Sequence, residues 1–271
     1  MAVQETELDL LLEGVFRLFG YDFRQYAPGT LKRRVSALVA EEGLSSVSEL
    51  QGRVFRDPDL LQRLMSALSV RASGFFRDAK FYGAFREKAV PMLRTYPFIR
   101  IWHAGCANGE EVYSMAILMQ EEGLFEKCDF YATDIDSSAL KAAGRGVYSR
   151  PVVVSSTESY REAGGKTSLT DYFSISGRDA RIKAELKERV TFMRHNLVTD
   201  GSLNEFNVIL CRNVLIYFAK PLQNRVHELL YSSLTRFGIL GLGANETLNV
   251  TPREKHYKAL DGGSKLYRRI D

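Results

Sequence analysis

Hydrophobic positions along this chain follow two different spacings, and the change comes near residue 98. Up to about residue 70 they recur at the three- and four-residue intervals of amphipathic helices. This pattern predicts four helices: one ending at Gly20, one from near Thr30 to Gly43, one near 47–54 and one after Asp57. We therefore expect a small helical bundle with no strand of its own in the N-terminal part.

From residue 98 onward, short apolar runs alternate with helical segments, as is typical of a parallel sheet. The predicted strands are 98–103, 128–133, 189–193, 206–211, 238–242 and 265–269, and the predicted helices lie near 110–122, 136–145 and 220–235. Segment 150–188 breaks the alternation because it is rich in serine, threonine, glycine and charge. It is expected to be an insertion of short helical or hairpin pieces. The predicted division is 1–72 for the bundle and 73–271 for the sheet domain.

The composition of the 271 residues is that of an ordinary globular protein, with 45% hydrophobic and 26% charged residues. No apolar stretch reaches the roughly 18 residues of a membrane span, and the N-terminus lacks the features of a signal peptide. The chain has an odd number of cysteines, at spacings that are not typical of a metal site: Cys106, Cys128 and Cys211. We therefore expect buried thiols, no metal site and a cytoplasmic location. A net charge of +4 is too small to indicate nucleic-acid binding, and no membrane insertion is expected.

The first predicted strand of the sheet leads into a glycine turn. Gly105 and Gly109 enclose this turn, and Glu110 and Glu111 open the helix that follows. Such a turn receives a nucleotide-type ligand at the carboxyl end of a strand. The two carboxylates would repel the pyrophosphate of a dinucleotide, whereas S-adenosylmethionine has no phosphate and carries an ammonium and a sulfonium. The turn therefore favours S-adenosylmethionine over NAD, and the alternative is a plain turn beside two solvated glutamates.

Two further strand ends carry polar residues at the same edge of the predicted sheet. Asp134 follows the second strand, where an acid can accept hydrogen bonds from both ribose hydroxyls of an adenosine ligand. Asp136 is expected to cap the next helix instead. Arg212, Asn213 and Tyr217 follow an apolar strand and should face the same crevice. The alternative for Tyr217 is a core aromatic with a satisfied hydroxyl.

Five motifs together resemble the CheR type of chemotaxis receptor glutamate O-methyltransferase. They occur in the order of that family between about residues 70 and 218, and the last of them is highly specific. They are the Phe-Phe-Arg block at 75–77, the Gly-x-x-x-Gly-Glu-Glu loop at 105–114, the Thr-Asp-Ile-Asp turn at 133–136, the Asn-Leu pair at 196–197 and the Cys-Arg-Asn-Val-x-Ile-Tyr-Phe block at 211–218. Without the other motifs, the paired phenylalanines could be plain packing between domains.

The resemblance implies a fold, a reaction and a set of site residues. The fold is an α/β, Rossmann-like methyltransferase sheet with an N-terminal all-helical domain and a small inserted β-subdomain. The reaction is methyl transfer from S-adenosylmethionine to glutamate carboxylates of a receptor signalling domain, which leaves S-adenosylhomocysteine. The residues implied at the cofactor are Arg77, Gly105, Glu111, Asp134, Asn196, Leu197, Arg212 and Asn213, and those implied nearest the transferred methyl are Arg77 and Tyr217.

The chain departs from the family pattern in three places. The family usually has Thr-Asn-x-Thr before the Phe-Phe-Arg block, whereas this chain has Arg71 in place of the amide and keeps a hydroxyl at Ser73. Both residues are candidate cofactor contacts. The stretch 173–181 matches a glycine-rich loop with which some members bind a receptor C-terminal peptide, but it is short and keeps one glycine. Segment 151–165 is longer and more polar than the resemblance would lead us to expect.

Methylation of a glutamate needs little acid–base chemistry, because its carboxylate is already an anionic nucleophile at pH 7. We therefore expect no catalytic histidine or cysteine, and we assign Arg77 to orienting the acceptor carboxylate and Tyr217 to a hydrogen bond near the reacting centre. Lys32, Arg33 and Arg34 on the second predicted helix form a basic face that suits the acidic helices of a receptor. The alternative is a solvated charged face. A monomer that needs no C-terminal receptor pentapeptide is expected.

Two other functions stay open at the level of the sequence. One is a methyltransferase with a different substrate, such as RNA or a small molecule, although the Asn-Pro-Pro-Tyr type of block used for base amines is absent. The other is a regulatory module that binds S-adenosylmethionine or its product without turnover.

Overall fold

The computed structural model describes residues 5–24, 26, 28–68, 74–218, 220–249 and 251–271. Its N-terminal part is a bundle of the four helices α1 (Glu5–Phe19), α2 (Pro28–Glu41), α3 (Val47–Val54) and α4 (Pro58–Leu68). Their apolar faces form one hydrophobic cluster in which Leu11, Val35 and Leu60 are fully buried. All four predicted helices are confirmed. Helix α2 begins at Pro28 rather than near Thr30, since proline is well suited to the first turn of a helix.

The described residues after the bundle contain ten strands. They are β1 (Ile99–Ala104), β2 (Cys128–Asp134), β3 (Val147–Ser149), β4 (Phe173–Ser176), β5 (Asp179–Ile182), β6 (Val190–Arg194), β7 (Phe206–Cys211), β8 (Leu234–Leu242), β9 (Tyr257–Asp261) and β10 (Leu266–Arg269). Seven of them form one sheet in the order β6-β2-β1-β7-β8-β10-β9. The first five strands in this order are parallel to their neighbours, and β10 is antiparallel to both β8 and β9. The six predicted strands are all present, and the edge strand β9 was not predicted.

Helices cover both faces of this large sheet. They are α5 (Ala79–Ala84), a π-helical turn (Phe85–Ala89), α6 (Val90–Leu93), α7 (Glu110–Glu121), α8 (Ser137–Arg145) and α11 (Lys220–Ser233). Successive residues of β1 point to opposite faces, so Ile101 packs with α5 and α7 while Trp102 packs with α11. Burial on both faces explains why the parallel strands are continuous apolar runs in the sequence. Helices α7, α8 and α11 confirm the prediction, whereas α5 and α6 were not predicted.

The small inserted subdomain is a three-stranded antiparallel sheet in the order β3-β5-β4, as the resemblance implied. It starts at Val147, before the expected beginning of the insertion at residue 150. Most of segment 151–165 lies in two short helices, α9 (Arg150–Ser155) and α10 (Thr157–Glu162). The hydroxyls of Tyr160 and Tyr172 donate to Glu121 of α7, which ties the insertion to the large sheet domain.

The bundle contacts the sheet domain at the carboxyl edge of the parallel strands. Gln62 and Ser66 of α4 donate to the carboxylate of Asp136 at 3.2 and 3.1 Å. Tyr26 forms an antiparallel bridge with Phe218, and their ring centroids lie 4.7 Å apart. Ligands of open α/β sheets bind at this edge, so the bundle forms one wall of the expected binding site. The predicted boundary at residues 72 and 73 lies outside the described residues.

The composition led to expectations about the cysteines and about membrane spans. The three cysteines are buried free thiols, as predicted. In the part of the chain that the structure describes, no helix is both long and apolar enough to cross a bilayer.

Candidate active site

A cleft lies between the bundle and the carboxyl ends of the parallel strands. Its empty volume is about 1020 Å³ when its open mouth is included, which is enough for a nucleoside-sized ligand. The bundle contributes Phe23, Tyr26 and Leu68 to its wall. The sheet domain contributes nine residues that the sequence predicted, namely Arg77, Gly105, Glu111, Asp134, Asn196, Leu197, Arg212, Asn213 and Tyr217.

The glycine turn after β1 needs glycine at both of its ends. Gly105 has φ = +81°, and a Cβ there would lie 2.5 Å from Cγ2 of Val214 across the cleft floor. Gly109 has φ = +89° and precedes α7, and a Cβ there would lie 2.9 Å from Cβ of Ala143. Any other residue would be strained in backbone and would push these neighbours apart. The turn is therefore held tightly between two neighbouring elements.

Asp134 ends β2 inside the cleft. Its Oδ2 accepts a hydrogen bond from the N–H of Ala107 at 2.8 Å, and its Oδ1 accepts one from the N–H of Asp136 at 2.9 Å. Burial raises the pKa of Asp134, and these two hydrogen bonds oppose the shift in part. The carboxylate oxygens keep acceptor capacity beyond these backbone bonds, so ribose hydroxyls can still donate to them.

Asp136 caps helix α8, as predicted. It is fully buried, and its Oδ1 accepts hydrogen bonds from the N–H groups of Ser138 and Ala139. The same carboxylate accepts the bonds from α4 described above, so this cap also joins the two domains.

Glu111 does not present an uncompensated carboxylate to the cleft, which corrects the electrostatic argument made from the sequence. Its Oε2 accepts a hydrogen bond from Arg212 at 3.1 Å, and its Oε1 lies 2.9 Å from Nδ1 of the buried His103. Burial alone would raise the pKa of Glu111, but the His103 hydrogen bond and the Arg212 charge outweigh it and hold this pKa below its ordinary value. The Glu111 charge is therefore compensated from within the protein.

Arg212 also holds the Phe-Phe-Arg block. Its guanidinium donates to the backbone carbonyl of Arg77 at 3.1 Å and to the carboxylate of Asp78 at 3.0 Å. Phe76 and Asp78 have φ = +53° and +58°, which is strained for residues other than glycine. The N–H of Phe76 is fixed by Oγ of Ser114 at 2.9 Å. The structure therefore stabilises a strained turn that places the Arg77 side chain on the cleft wall.

The block after β7 also lines the cleft. Asn213 has φ = +61°, and a short 3₁₀ turn, Leu215–Tyr217, follows it. Tyr217 is half-buried and lines the cleft together with Arg77. The interpretation of Tyr217 as a purely internal core residue does not agree with this position.

Asn196 and Leu197 follow β6 and are both buried at the cleft wall. The side-chain oxygen of Asn196 accepts a hydrogen bond from the N–H of Val198 at 3.0 Å, which fixes the loop after the strand. Arg71 and Ser73, the other two candidate cofactor contacts, lie outside the described residues.

The predicted basic face of α2 is present in part. Lys32 and Arg33 are exposed. Arg34 is half-buried instead, and its guanidinium donates to the carbonyls of Ala67 and Leu68 at the end of α4 at 2.9 and 3.1 Å. A cation at a helix C-terminus complements the last carbonyls, so Arg34 joins α2 to α4 rather than flanking Arg33 on the surface.

Sequence reasoning missed the bundle wall and the partners of the charged residues. Phe23 and Tyr26 follow a helix end and had no motif to indicate a ligand. Glu246 accepts hydrogen bonds from the 213–215 loop, and one signal could have found it, because it follows predicted strand 238–242 at the same sheet edge.

Comparison with known proteins identifies the family. Residues 6–69 match the family model described as "CheR methyltransferase, all-alpha domain", and residues 71–262 match "CheR methyltransferase, SAM binding domain". The chain belongs to the CheR methyltransferase family. It is therefore an S-adenosylmethionine-dependent methyltransferase of the chemotaxis type, and its cofactor is S-adenosylmethionine.

Three relatives illustrate how much of the chain is shared with other CheR proteins. Cher3 of Pseudomonas putida is 39% identical over 265 residues, which are 98% of this chain and 97% of the relative. The chemotaxis protein methyltransferase 1 of Vibrio cholerae is 32% identical, with 84% of this chain and 82% of the relative covered. The chemotaxis protein methyltransferase of Listeria innocua is 29% identical, with 86% and 87% covered.

The geometry of the cleft fits this cofactor. The half-buried Asp134 carboxylate offers acceptors suited to ribose hydroxyls, and Gly105 and Ala107 of the glycine turn line the same cleft. The compensated pair of Glu111 and Arg212 brings no net negative or positive charge to the wall, which a cofactor with a zwitterionic amino-acid end tolerates.

Proposed function

We propose that this CheR protein methylates glutamate side-chain carboxylates in the signalling domain of a chemotaxis receptor. The observation that carries the proposal is the position of Arg77 and Tyr217, which line the same cleft as Asp134 and Asn196. A cationic side chain and a phenol at one cleft suit an anionic acceptor. S-adenosylmethionine supplies a methyl group on a cationic sulfur, and the acceptor oxygen bonds to that carbon while the bond to sulfur breaks, so the two charges cancel.

In this proposal the side chains of the cleft orient the acceptor carboxylate and exclude water, and they do not move protons. The acceptor carboxylate is ionised at pH 7 and needs no general base. Consistent with this, His103 is fully buried against Glu111. His195 lines the cleft, but its Nε2 lies 2.9 Å from the carbonyl of Gly201. We assign Asp134, Asn196 and Leu197 to the adenosine portion of the cofactor. Arg77 guides the acceptor without clamping it, because tight ground-state binding would not speed the reaction.

The assignment of Asp134 predicts a specific loss of cofactor affinity. Asp134→Ala should weaken binding of S-adenosylmethionine by about 1–3 kcal/mol, because the hydrogen bonds to ribose are lost. Isothermal titration with S-adenosylmethionine measures this effect. Asp129→Ala is the matched control, since Asp129 lies on the same strand but is exposed. Unchanged affinity in a folded Asp134 variant would remove this residue from the site, and NAD should not bind measurably to the wild type.

We further propose that the exposed basic residues of α2 dock the receptor, without a C-terminal pentapeptide tether. Lys32→Glu combined with Arg33→Glu should raise the apparent KM for receptor fragments several-fold and flatten its salt dependence, with cofactor affinity unchanged. Lys258→Glu, at an exposed site on the edge strand β9, is the control. A tritium-methyl transfer assay on receptor fragments measures the apparent KM and its salt dependence.

The tether is tested separately with a receptor C-terminal pentapeptide. The turn between β4 and β5 contains one glycine, Gly177, so we expect no measurable binding there. Micromolar binding, or full receptor methylation by the charge-reversed protein at low salt, would contradict the docking proposal. Cofactor binding without transfer to any receptor fragment would favour a regulatory module or a different substrate.

A further inference from the structure

Glu246 is a buried carboxylate that lies behind the cleft wall. It is 4% exposed and follows the carboxyl end of β8. Its Oε1 accepts hydrogen bonds from the N–H groups of Val214 and Leu215, both at 2.7 Å. Its Oε2 accepts hydrogen bonds from the N–H groups of Asn213 at 2.9 Å and Gly243 at 2.6 Å. One side chain therefore satisfies four backbone donors.

This arrangement compensates the carboxylate with backbone dipoles. A buried carboxylate is costly unless it is paired or hydrogen-bonded. No described arginine, lysine or histidine forms an ion pair with Glu246, so the four backbone N–H groups stabilise it instead. Three successive N–H groups that converge on one anion form a concave backbone nest. Here the anion belongs to the protein itself and is not a ligand.

The nest sets the conformation of residues that face the ligand. Asn213 is held at φ = +61°, and the three donors open the 3₁₀ turn that ends at Tyr217. The fit is close, because a Cβ at Gly243 would lie 2.7 Å from both the Asn213 nitrogen and Oε2 of Glu246. A displaced carboxylate would leave three N–H groups of this loop without an acceptor.

We propose that Glu246 is a positioning residue for methyl transfer, which acts by holding the 213–217 loop so that Tyr217 faces the acceptor. Glu246 does not itself line the cleft. The inference rests on the role of Tyr217 under the proposed function.

A double-mutant cycle between Glu246 and Tyr217 tests this role. Glu246→Gln replaces an acceptor oxygen by an NH₂ donor, which cannot accept from the loop N–H groups. We expect it to lower kcat roughly tenfold in the wild type but less than about threefold when Tyr217 is already phenylalanine. Equal losses in the two backgrounds would overturn the proposal, since a general loss of stability would act on both alike.

The matched control is Glu121→Gln. Glu121 is also a buried carboxylate that accepts several hydrogen bonds, from Tyr160, Tyr172 and the N–H of Lys166, and it pairs with Arg86, but it lies outside the cleft lining. Its loss should change kcat by less than about twofold in both backgrounds. A tenfold loss in the control would attribute the Glu246 effect to destabilisation and overturn the proposal.

A second variant guards against misfolding of the first, and a second readout does not depend on the receptor. Gly243→Ala keeps Glu246 and forces its carboxylate away from Asn213, and it should reproduce the same non-additivity if Glu246→Gln fails to fold. Hydrogen exchange at the amides of Asn213, Val214 and Leu215 should become at least about tenfold faster in either variant. Unchanged exchange would overturn the inference. Faster exchange in a protein that methylates no receptor fragment would show that the proposed acceptor is wrong and the nest is nevertheless held by Glu246.

Discussion

Replacing Arg212 by alanine is expected to destabilise the protein by about 3–5 kcal/mol, because removal of one partner leaves a buried charge uncompensated. The Arg212 side chain is 1% exposed and pairs with Glu111 and Asp78. Its guanidinium carbon also lies 4.0 Å from the ring centroid of Phe81. The loss of this side chain would free the strained turn that carries Arg77. Urea unfolding followed by circular dichroism measures the change.

The control for this variant is Arg189→Ala. The Arg189 side chain is 35% exposed and pairs with the exposed Glu126. Exposed ion pairs contribute less than about 1 kcal/mol, so this variant should be nearly as stable as the wild type. Arg212→Lys keeps the charge but not the planar guanidinium that reaches three acceptors. Its stability should therefore lie between those of Arg212→Ala and the wild type. Wild-type stability in the alanine variant would show that Glu111 and the Phe-Phe-Arg turn do not depend on Arg212.

Arg77→Ala and Tyr217→Phe should each lower kcat by about 100-fold while the affinity for S-adenosylhomocysteine changes much less. Both side chains line the cleft, and their proposed contacts are with the acceptor carboxylate rather than with the adenosine. Groups that act on the acceptor in the transition state affect turnover more than product binding. Methyl transfer at saturating cofactor gives kcat, and titration with the product gives the affinity.

Two surface substitutions control for the loss of a guanidinium or a hydroxyl. Arg56 is exposed after α3, and the hydroxyl of Tyr231 donates to Asp271 at the surface. Arg56→Ala and Tyr231→Phe should leave both turnover and product affinity unchanged. If Arg77→Ala or Tyr217→Phe turns over at the wild-type rate, that residue has no part in methyl transfer.

Local periodicity accounts for most of the secondary structure predicted correctly. Long segments such as α1, α7 and β7 carry enough apolar positions for their spacing to be clear. The elements that were missed are short or lie in irregular segments. Strand β3 has three residues, and α5 runs through a π-helical turn into α6. Strand β3 is too short to show a period, and the π-helical turn interrupts the 3.6-residue spacing between α5 and α6.

The sequence by itself determined the division into a helical bundle and a parallel sheet, the order of the motifs and the edge of the sheet at which they meet. These follow from residue spacing and from the rule that parallel strands end together. Only the tertiary structure decided which charges compensate each other. Glu111 and Arg212 are 101 residues apart in the chain, and Glu246 lies 32 residues beyond the Val214 amide that it binds. Such pairs form only when the sheet brings separate strand ends together. Burial at that edge makes an unpaired charge or N–H group costly, so each of these groups needs a partner there.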